Sequence, residues 1–294
     1  MRRLIMVLAL TLGGCAQVSG GIDWYDFLEI EQGVGRMRAD RTPQDAPVDQ
    51  VLLEQNFRRI AFDLESDPLG NGDPQGENDR PMIRKWLKPV IFSLASTLED
   101  EAAISPRLDS FARLLSDVTG HPVRPYEDSG DGSVRLLIIY GPDRSMRAMT
   151  DPRNISGPEW TKNEQGAARW LAASIAEWRI APSPCAGYVL VGDERTDSEV
   201  GEIIFAVVMI RKEVPDLLLD ACIEEELAQV MGVLNDDDTV RPSVFNDDQE
   251  FALLTDHDTE LLRALYDPRI KPGMTPAEAM PIVREILGEA HAGG

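Results

Sequence analysis

The chain has 294 residues and carries 51 acidic against 29 basic side chains, a formal net charge of -22. A nucleic-acid binder has to offer lysine and arginine to phosphates, so this balance excludes nucleic acid as a partner. The same balance repels the polypeptide from anionic headgroups, so any affinity for a membrane has to come from something other than the protein surface.

The order of segments begins with Met1-Arg2-Arg3, an apolar run from Leu4 to Leu12, and the tetrad Leu12-Gly13-Gly14-Cys15. A positive start, a short apolar core and small residues at the end predict a secretory signal over residues 1–14. The apolar run is too short to span a bilayer. Leu-Gly-Gly-Cys resembles a bacterial lipobox, which implies that Cys15 becomes the first mature residue and carries acyl chains. At about 0.8 kcal/mol per buried methylene, several such chains hold a protein at a membrane surface. The plainer alternative is an ordinary secretory signal with an incidental cysteine. Ala16 resembles the residue that sorts such proteins to the outer membrane of a Gram-negative cell, so the expected place is the envelope, lipid-anchored and facing the periplasm. Residues 15–48 read as a polar tether with Gly20, Gly21, Gly33, Gly35, Pro43 and Pro47, in which Trp24, Tyr25 and Phe27 can dock locally. Residues 49–294 are expected to form one domain with its core in 80–275.

Within that domain a helix is predicted over 51–64, where Leu52, Leu53, Phe57, Ile60, Ala61 and Leu64 recur at helical spacing. Gly, Pro, Asn and Asp break regular structure over 67–79. Residues 86–94 read as a strand whose Pro89 suggests an edge or a bulge. A helix follows over 105–118, with Ser105 as N-cap, Pro106 at its first position and Gly120 just past its end. The runs 133–140, 188–191 and 203–210 read as strands, and 165–178 as a helix between them. Such alternation predicts an α/β fold, a mixed sheet covered by helices. Residues 215–234 form a further helix, with Ile223, Leu227, Val230 and Leu234 on a packed face and Glu225, Gln229 and Gly232 on an outward one. Thr255 with Asp258, and Thr275 with Pro276 and Glu278, cap two closing helices.

Cys185 and Cys222 are an even pair in a compartment that favours disulfides, and they are expected to be joined. Closing that loop stabilises a fold by roughly 4 kcal/mol in the chain-entropy model. The alternative is two buried free thiols.

The stretch Glu225-Glu226-Leu227-Ala228-Gln229-Val230-Met231-Gly232-Val233-Leu234-Asn235 has the spacing of the zinc-binding frame H-E-x-x-H-x-x-G-x-x-H. In that frame two histidines at i and i+4 hold zinc, the intervening glutamate activates a water, and a glycine turns the chain back toward a third histidine. Here Glu226 stands at the base, Gly232 at the turn, and Glu225, Gln229 and Asn235 at the ligand positions. Ser243-Val244-Phe245 resembles the turn that metzincin-type proteases place under the metal, with Phe245 where their methionine stands. Residues 254–266, ending in Leu265-Tyr266, resemble their closing helix. Together with the order of elements, the pattern resembles an uncharacterised family of proteobacterial envelope lipoproteins known only as a domain of unknown function, and more distantly the metzincins. That resemblance implies a zincin-like sheet-and-helix fold around a central, former active-site helix.

The departures bear on chemistry. Amide oxygens of Gln229 and Asn235 are weak neutral donors that suit hard cations better than zinc, and without a metal-bound water Glu226 has nothing evident to deprotonate. The reading is a degenerate site, with Glu226 a vestigial catalytic residue and Glu225, Gln229 and Asn235 vestigial ligand positions. No metal or cofactor is expected. The plainer alternative is an amphipathic helix with a solvated polar face. The acidic residues Asp236, Asp237, Asp238, Asp247, Asp248 and Glu250 match no EF-hand order and read as a solvated loop, and Glu127–Gly132 reads as a turn. His121 suits a loop, His257 the exposed first turn of a helix, and His291 the tail. No G-x-S-x-G, phosphate loop or dinucleotide fingerprint is present. Three roles follow as expectations: a non-catalytic binding or assembly protein that takes a peptide or an envelope protein in the old cleft, a hydrolase with an unconventional metal and Glu226 as base, or a structural envelope component.

Overall fold

A computed structural model of the protein describes residues 37–62, 80–125, 134–142, 169–175, 178, 183–192, 198–246 and 250–292. The leader, Cys15, the three tether aromatics, the break over 67–79, the turn at 127–132 and the pair Asp247 and Asp248 lie outside the described residues.

Five strands, β1 (Val90–Ala95), β2 (Val123–Pro125), β3 (Leu136–Gly141), β4 (Cys185–Val191) and β5 (Ile203–Arg211), form one sheet in the order β2-β1-β3-β5-β4. β1 runs parallel to β2 and β3, and β3 parallel to β5. β4 alone is antiparallel, with Tyr188 opposite Val207. The fold is therefore α/β, a mostly parallel sheet covered by helices, as the alternation of elements predicts. β5 is apolar without interruption from Ile203 to Ile210 because both of its faces are covered. Ala206, Val208 and Ile210 join the main core, whereas Val207 and Met209 face Trp170, Leu171, Ile175 and Trp178 on the other side. The main core is filled by α1 (Gln50–Phe62), α2 (Leu98–Thr119), α3 (Asp216–Gln229), α4 (Asp256–Tyr266) and α5 (Pro276–Ala292). Among the described residues no helix is long and apolar enough to cross a membrane.

Several local expectations are corrected by packing. α2 starts at Leu98 rather than at Ser105, because Thr97 accepts the Asp100 amide at 3.2 Å and Glu99, Asp100 and Glu101 complement the helix N-terminus. Pro106 thus lies inside the helix on an exposed position, where the lost backbone bond is met by solvent. Gly120 does end the helix, in a left-handed conformation with φ 66°. β1 is not an edge, since the three-residue β2 covers its outer side. α3 stops at Gln229 and is not amphipathic. Leu218, Leu219, Ala221, Cys222, Ile223, Glu224, Glu226, Leu227, Ala228 and Gln229 are all buried, so it lies at the centre of the molecule and leaves only Glu225 half-exposed in its last two turns. Residues 37–48, read as tether, are packed: Arg38 bridges Phe251 in parallel and Asp256 donates its amide to the Arg41 carbonyl at 2.8 Å.

Lys85, just before β1, is buried with its ammonium directed at the carbonyls of Leu265 (2.8 Å) and Ile270 (3.2 Å) and over the Tyr266 ring at 4.7 Å. Burial, reinforced by Lys271 and opposed by Asp267, pulls its pKa down to about 8. The unfolded chain then holds more protons than the folded one between about pH 8 and the ordinary lysine value, so stability rises with pH across that window. Urea unfolding at pH 7.5 and 9.5 should show the wild type gaining about 1–2 kcal/mol more than Lys85→Met. Equal pH dependence in the two proteins would place the charge of Lys85 outside the balance.

Candidate functional site

Three segments converge on α3. The first is β4, joined to α3 by the Cys185–Cys222 disulfide with Cα atoms 5.7 Å apart. The expected pairing of the two cysteines is therefore present, and it fixes the edge strand to the helix. Glu226, four residues after Cys222, falls on the same helix face. A Cβ at Gly187 would lie 2.9 Å from Glu226 Oε2 and 3.0 Å from Val230 Cγ1, so glycine at that strand position is what allows β4 to approach the glutamate.

The second segment is the turn and loop after α3. Gly232 turns the chain with φ 123°, as the frame predicts. The returning chain does not bring the expected residue back, however. Gln229 Nε2 donates to Asp236 Oδ1 at 2.7 Å, whereas Asn235 points its side-chain amide at the Arg59 carbonyl (3.2 Å) and its own N–H at the Ile60 carbonyl (3.3 Å). Asn235 is thus tied to α1, and its neighbour Asp236 occupies the place beside Gln229. The three ligand positions do not form one set: Glu225 lines a cleft, Gln229 holds Asp236, and Asn235 clamps α1. The helix end itself is satisfied by aromatic donors, with Trp86 Nε1 donating to the Val230 carbonyl and the Tyr266 hydroxyl to that of Met231, both at 2.8 Å.

The third segment is the turn Ser243-Val244-Phe245, carried by α4. Asp258, at the third position of α4, is fully buried and completes a capping box with Thr255. Its carboxylate also accepts Ser243 Oγ at 2.6 Å, the Val244 amide at 3.0 Å and His257 Nδ1 at 3.0 Å. Asn56 donates to His257 Nε2 at 2.9 Å. His257, expected to be exposed, is instead enclosed between α1 and Asp258, and this pattern assigns its proton to Nδ1. Ser243, His257 and Asp258 are not arranged for nucleophilic catalysis. The serine donates to the carboxylate rather than to the imidazole, and all three are buried. His121 is the half-buried loop residue expected, its Nε2 2.9 Å from the Lys88 carbonyl, and the side chain of His291 lies outside the described residues.

Between these segments lies a small cleft of about 50 Å³. The β4 side contributes Ser183, Pro184 and Cys185, and α3 contributes Leu218, Ala221, Glu225 and Glu226. Val244, Phe251 and Met37 complete it. Its size suits one short side chain rather than a small-molecule ligand, whose sites are roughly 300–1,000 Å³. A zinc ion does not fit this donor set. The frame supplies no imidazole, its two amides are engaged apart from each other, and among the described residues no three His, Cys, Asp or Glu side chains converge.

Glu224, which drew no attention in the sequence, is a structural residue. Arg41 grips both of its oxygens, at 2.5 and 2.8 Å, and the Leu254 amide adds a third bond at 2.8 Å. Its partner lies 183 residues away, so no local pattern marks it.

No curated protein and no solved structure matches the chain. The family model described as a protein of unknown function, DUF2927, matches residues 50–285, which span the sheet, α3, the turn at Val244 and both closing helices, and the chain belongs to that family.

Proposed function

We propose that this protein is a membrane-anchored lipoprotein of the bacterial envelope whose zincin-like domain binds an extended polypeptide without cleaving it. The observation that carries this reading is the position of β4. It is the terminal strand of the sheet, and among the described residues no strand pairs with its outer side. Its sequence Cys-Ala-Gly-Tyr-Val-Leu-Val has no charge and no proline, the devices by which an edge strand is ordinarily protected from pairing. It also starts at the cleft that holds Glu225 and Glu226, which Cys185 lines. An extended segment adding to this edge gains main-chain hydrogen bonds and places a side chain at the cleft. The zincin-like part of the reading is supported by the order of strands and helices, by α3 at the centre, by the Gly232 turn and by the Val244 turn beside the cleft. Loss of the protease chemistry is supported by the engagement of Gln229 with Asp236 and of Asn235 with α1. Anchoring through acylated Cys15, at the outer membrane and facing the periplasm, rests on the leader and tetrad alone.

The test is made on the chain from Val18, purified without chelator, in three measurements: bound metal, cleavage of a mixed peptide library, and capture of extended peptides. Capture is expected, and N-methylation of alternate peptide amides should abolish it by removing the donors that a new strand needs. One equivalent of metal lost in Glu225→Ala, with cleavage lost in Glu226→Gln, would replace this reading by that of a hydrolase with an oxygen-ligated metal and Glu226 as general base. Capture indifferent to N-methylation would overturn strand addition.

A further inference from the structure

The segment 37–48 is packed against the domain at the cleft. Met37 lines the cleft beside Glu225 and Glu226, so this end of the segment stands at the cleft itself. From there the segment lies across the loop between Arg241 and Asp256. Its backbone makes three bonds: the Arg38 amide to the Glu250 carbonyl at 2.7 Å, the Ala252 amide to the Arg38 carbonyl at 2.9 Å, and the Asp256 amide to the Arg41 carbonyl at 2.8 Å. Most of its remaining attachment is ionic. Arg38 pairs with Asp40, Asp45 and Glu250, and Arg241 pairs with Glu250 and more distantly with Asp45. The two guanidinium groups lie 4.9 and 5.8 Å from the centre of the Phe251 ring. Arg41 holds Glu224 of α3. Within 37–48 only Pro43 and Ala46 are buried, and Met37 and Val48, at its two ends, rest half-buried against the main core. A segment held by charge and a few backbone bonds, with little apolar burial, detaches at a smaller free-energy cost than the core unfolds.

We propose that residues 37–48 form an ionic clasp that closes one end of the cleft and opens without unfolding of the domain. Whatever binds or pulls the chain N-terminal to Met37 then governs access to Glu225 and Glu226. The gating role rests on the cleft being the binding site proposed above, whereas the clasp itself does not. Its strength depends on exposed pairs, because the side chains of Arg38, Arg41 and Arg241 are 30–42 % accessible. Salt therefore weakens it, as the screening length falls from about 10 Å at 0.1 M to about 3 Å at 1 M. The core of β5 has no such dependence.

Hydrogen–deuterium exchange of the full chain in detergent tests the clasp. Peptides covering 37–48 and 250–256 should exchange at least about tenfold faster in 1 M than in 0.1 M NaCl, while β5 keeps its protection. Arg41→Gln should produce the same acceleration at low salt. Arg38→Gln, which disturbs no buried carboxylate, serves if Arg41→Gln lowers global stability. Exchange of these segments only at the rate of β5, or without response to salt and to both variants, would overturn the clasp. Peptide capture is then followed in the same variants. Faster association than in the wild type supports the gate, and an unchanged rate in a variant whose clasp exchanges faster overturns it. Absence of capture in every protein removes the binding reading, and with it the gate, while leaving the clasp to the exchange result.

Discussion

Replacing Asp258 by alanine is expected to destabilise the protein by about 4 kcal/mol or more. The carboxylate accepts four hydrogen bonds, from Ser243 Oγ, the Val244 amide, the Thr255 amide and His257 Nδ1, and competes with the Pro242 carbonyl for the Thr255 hydroxyl proton. The residues carrying these donors are all less than 4 % accessible, so no water replaces what alanine removes. Each buried donor left without an acceptor costs about 1–3 kcal/mol, and the capping box of α4 is lost as well. Asp258→Asn is the sharper probe. It keeps the shape but turns one acceptor into a donor facing donors, so it should cost a large part of the alanine effect. Asn56→Ala, which removes one bond to the far side of His257, should cost about 1–2 kcal/mol. Chemical denaturation of the three variants orders them, and an Asp258→Ala penalty within the roughly 0.5 kcal/mol of an ordinary surface change would refute the hub. The consequence reaches the cleft, because Asp258 fixes the turn that presents Val244 there. Asp258→Ala should therefore also weaken peptide capture under conditions where the domain remains folded.

What the sequence makes legible follows from how local each cause is. β3 and β5 are visible because a strand covered on both faces is a continuous apolar run. α4 is visible because Thr255 and Asp258 stand three apart before apolar periodicity, and the end of α2 because only glycine takes φ 66° at no steric cost. The cysteine pair is visible by count, together with the compartment that residues 1–15 predict. Other features depend on partners far along the chain. Glu225 reads as part of an outward polar face and is half-exposed, whereas its neighbours are buried by partners that no local pattern marks, Glu224 because Arg41 neutralises it and Glu226 because Gly187 leaves room beside it. His257 reads as exposed because it stands in the first turn of a helix, whereas Asn56 on α1 encloses it. Pro106 reads as a helix start because that is its usual place, and the Thr97 cap about two and a half turns further back overrides it. In the candidate site the turning glycine was identifiable but not the residue it returns. A shift of one position, Asp236 in place of Asn235, is decided by the two bonds that hold Asn235 to the end of α1, and spacing alone contains no trace of them.

The second large effect is expected at Gly232. Its φ of 123° is strained for any residue with a side chain, and a Cβ there would stand 2.0 Å from the Arg84 carbonyl oxygen and 3.2 Å from Leu265 Cδ2. The obstacle is backbone held from both sides. Ile83 accepts from the Gly273 amide at 2.8 Å, and Lys85 exchanges bonds with Gly201 and Ile203 at 3.1 and 3.0 Å. Arg84 therefore cannot retreat without breaking the entry to β1. Gly120 provides the control, since it also has positive φ but nothing within 4 Å of an added Cβ. Gly120→Ala should cost about 1 kcal/mol, the conformational term alone, whereas Gly232→Ala should cost at least about 3 kcal/mol more and leave little folded protein at 37 °C. Equal penalties at the two sites, measured by denaturant unfolding, would mean that the chain around Arg84 yields and that the close contact is not needed. If the difference holds, the glycine of the frame is required here for packing α3 against the start of the sheet, a role that survives whether or not Gln229 and Asn235 ever held a metal. Its presence in the frame then bears on the geometry of the helix end and not on catalysis, and the chemistry of the cleft has to be judged on Glu225 and Glu226 alone.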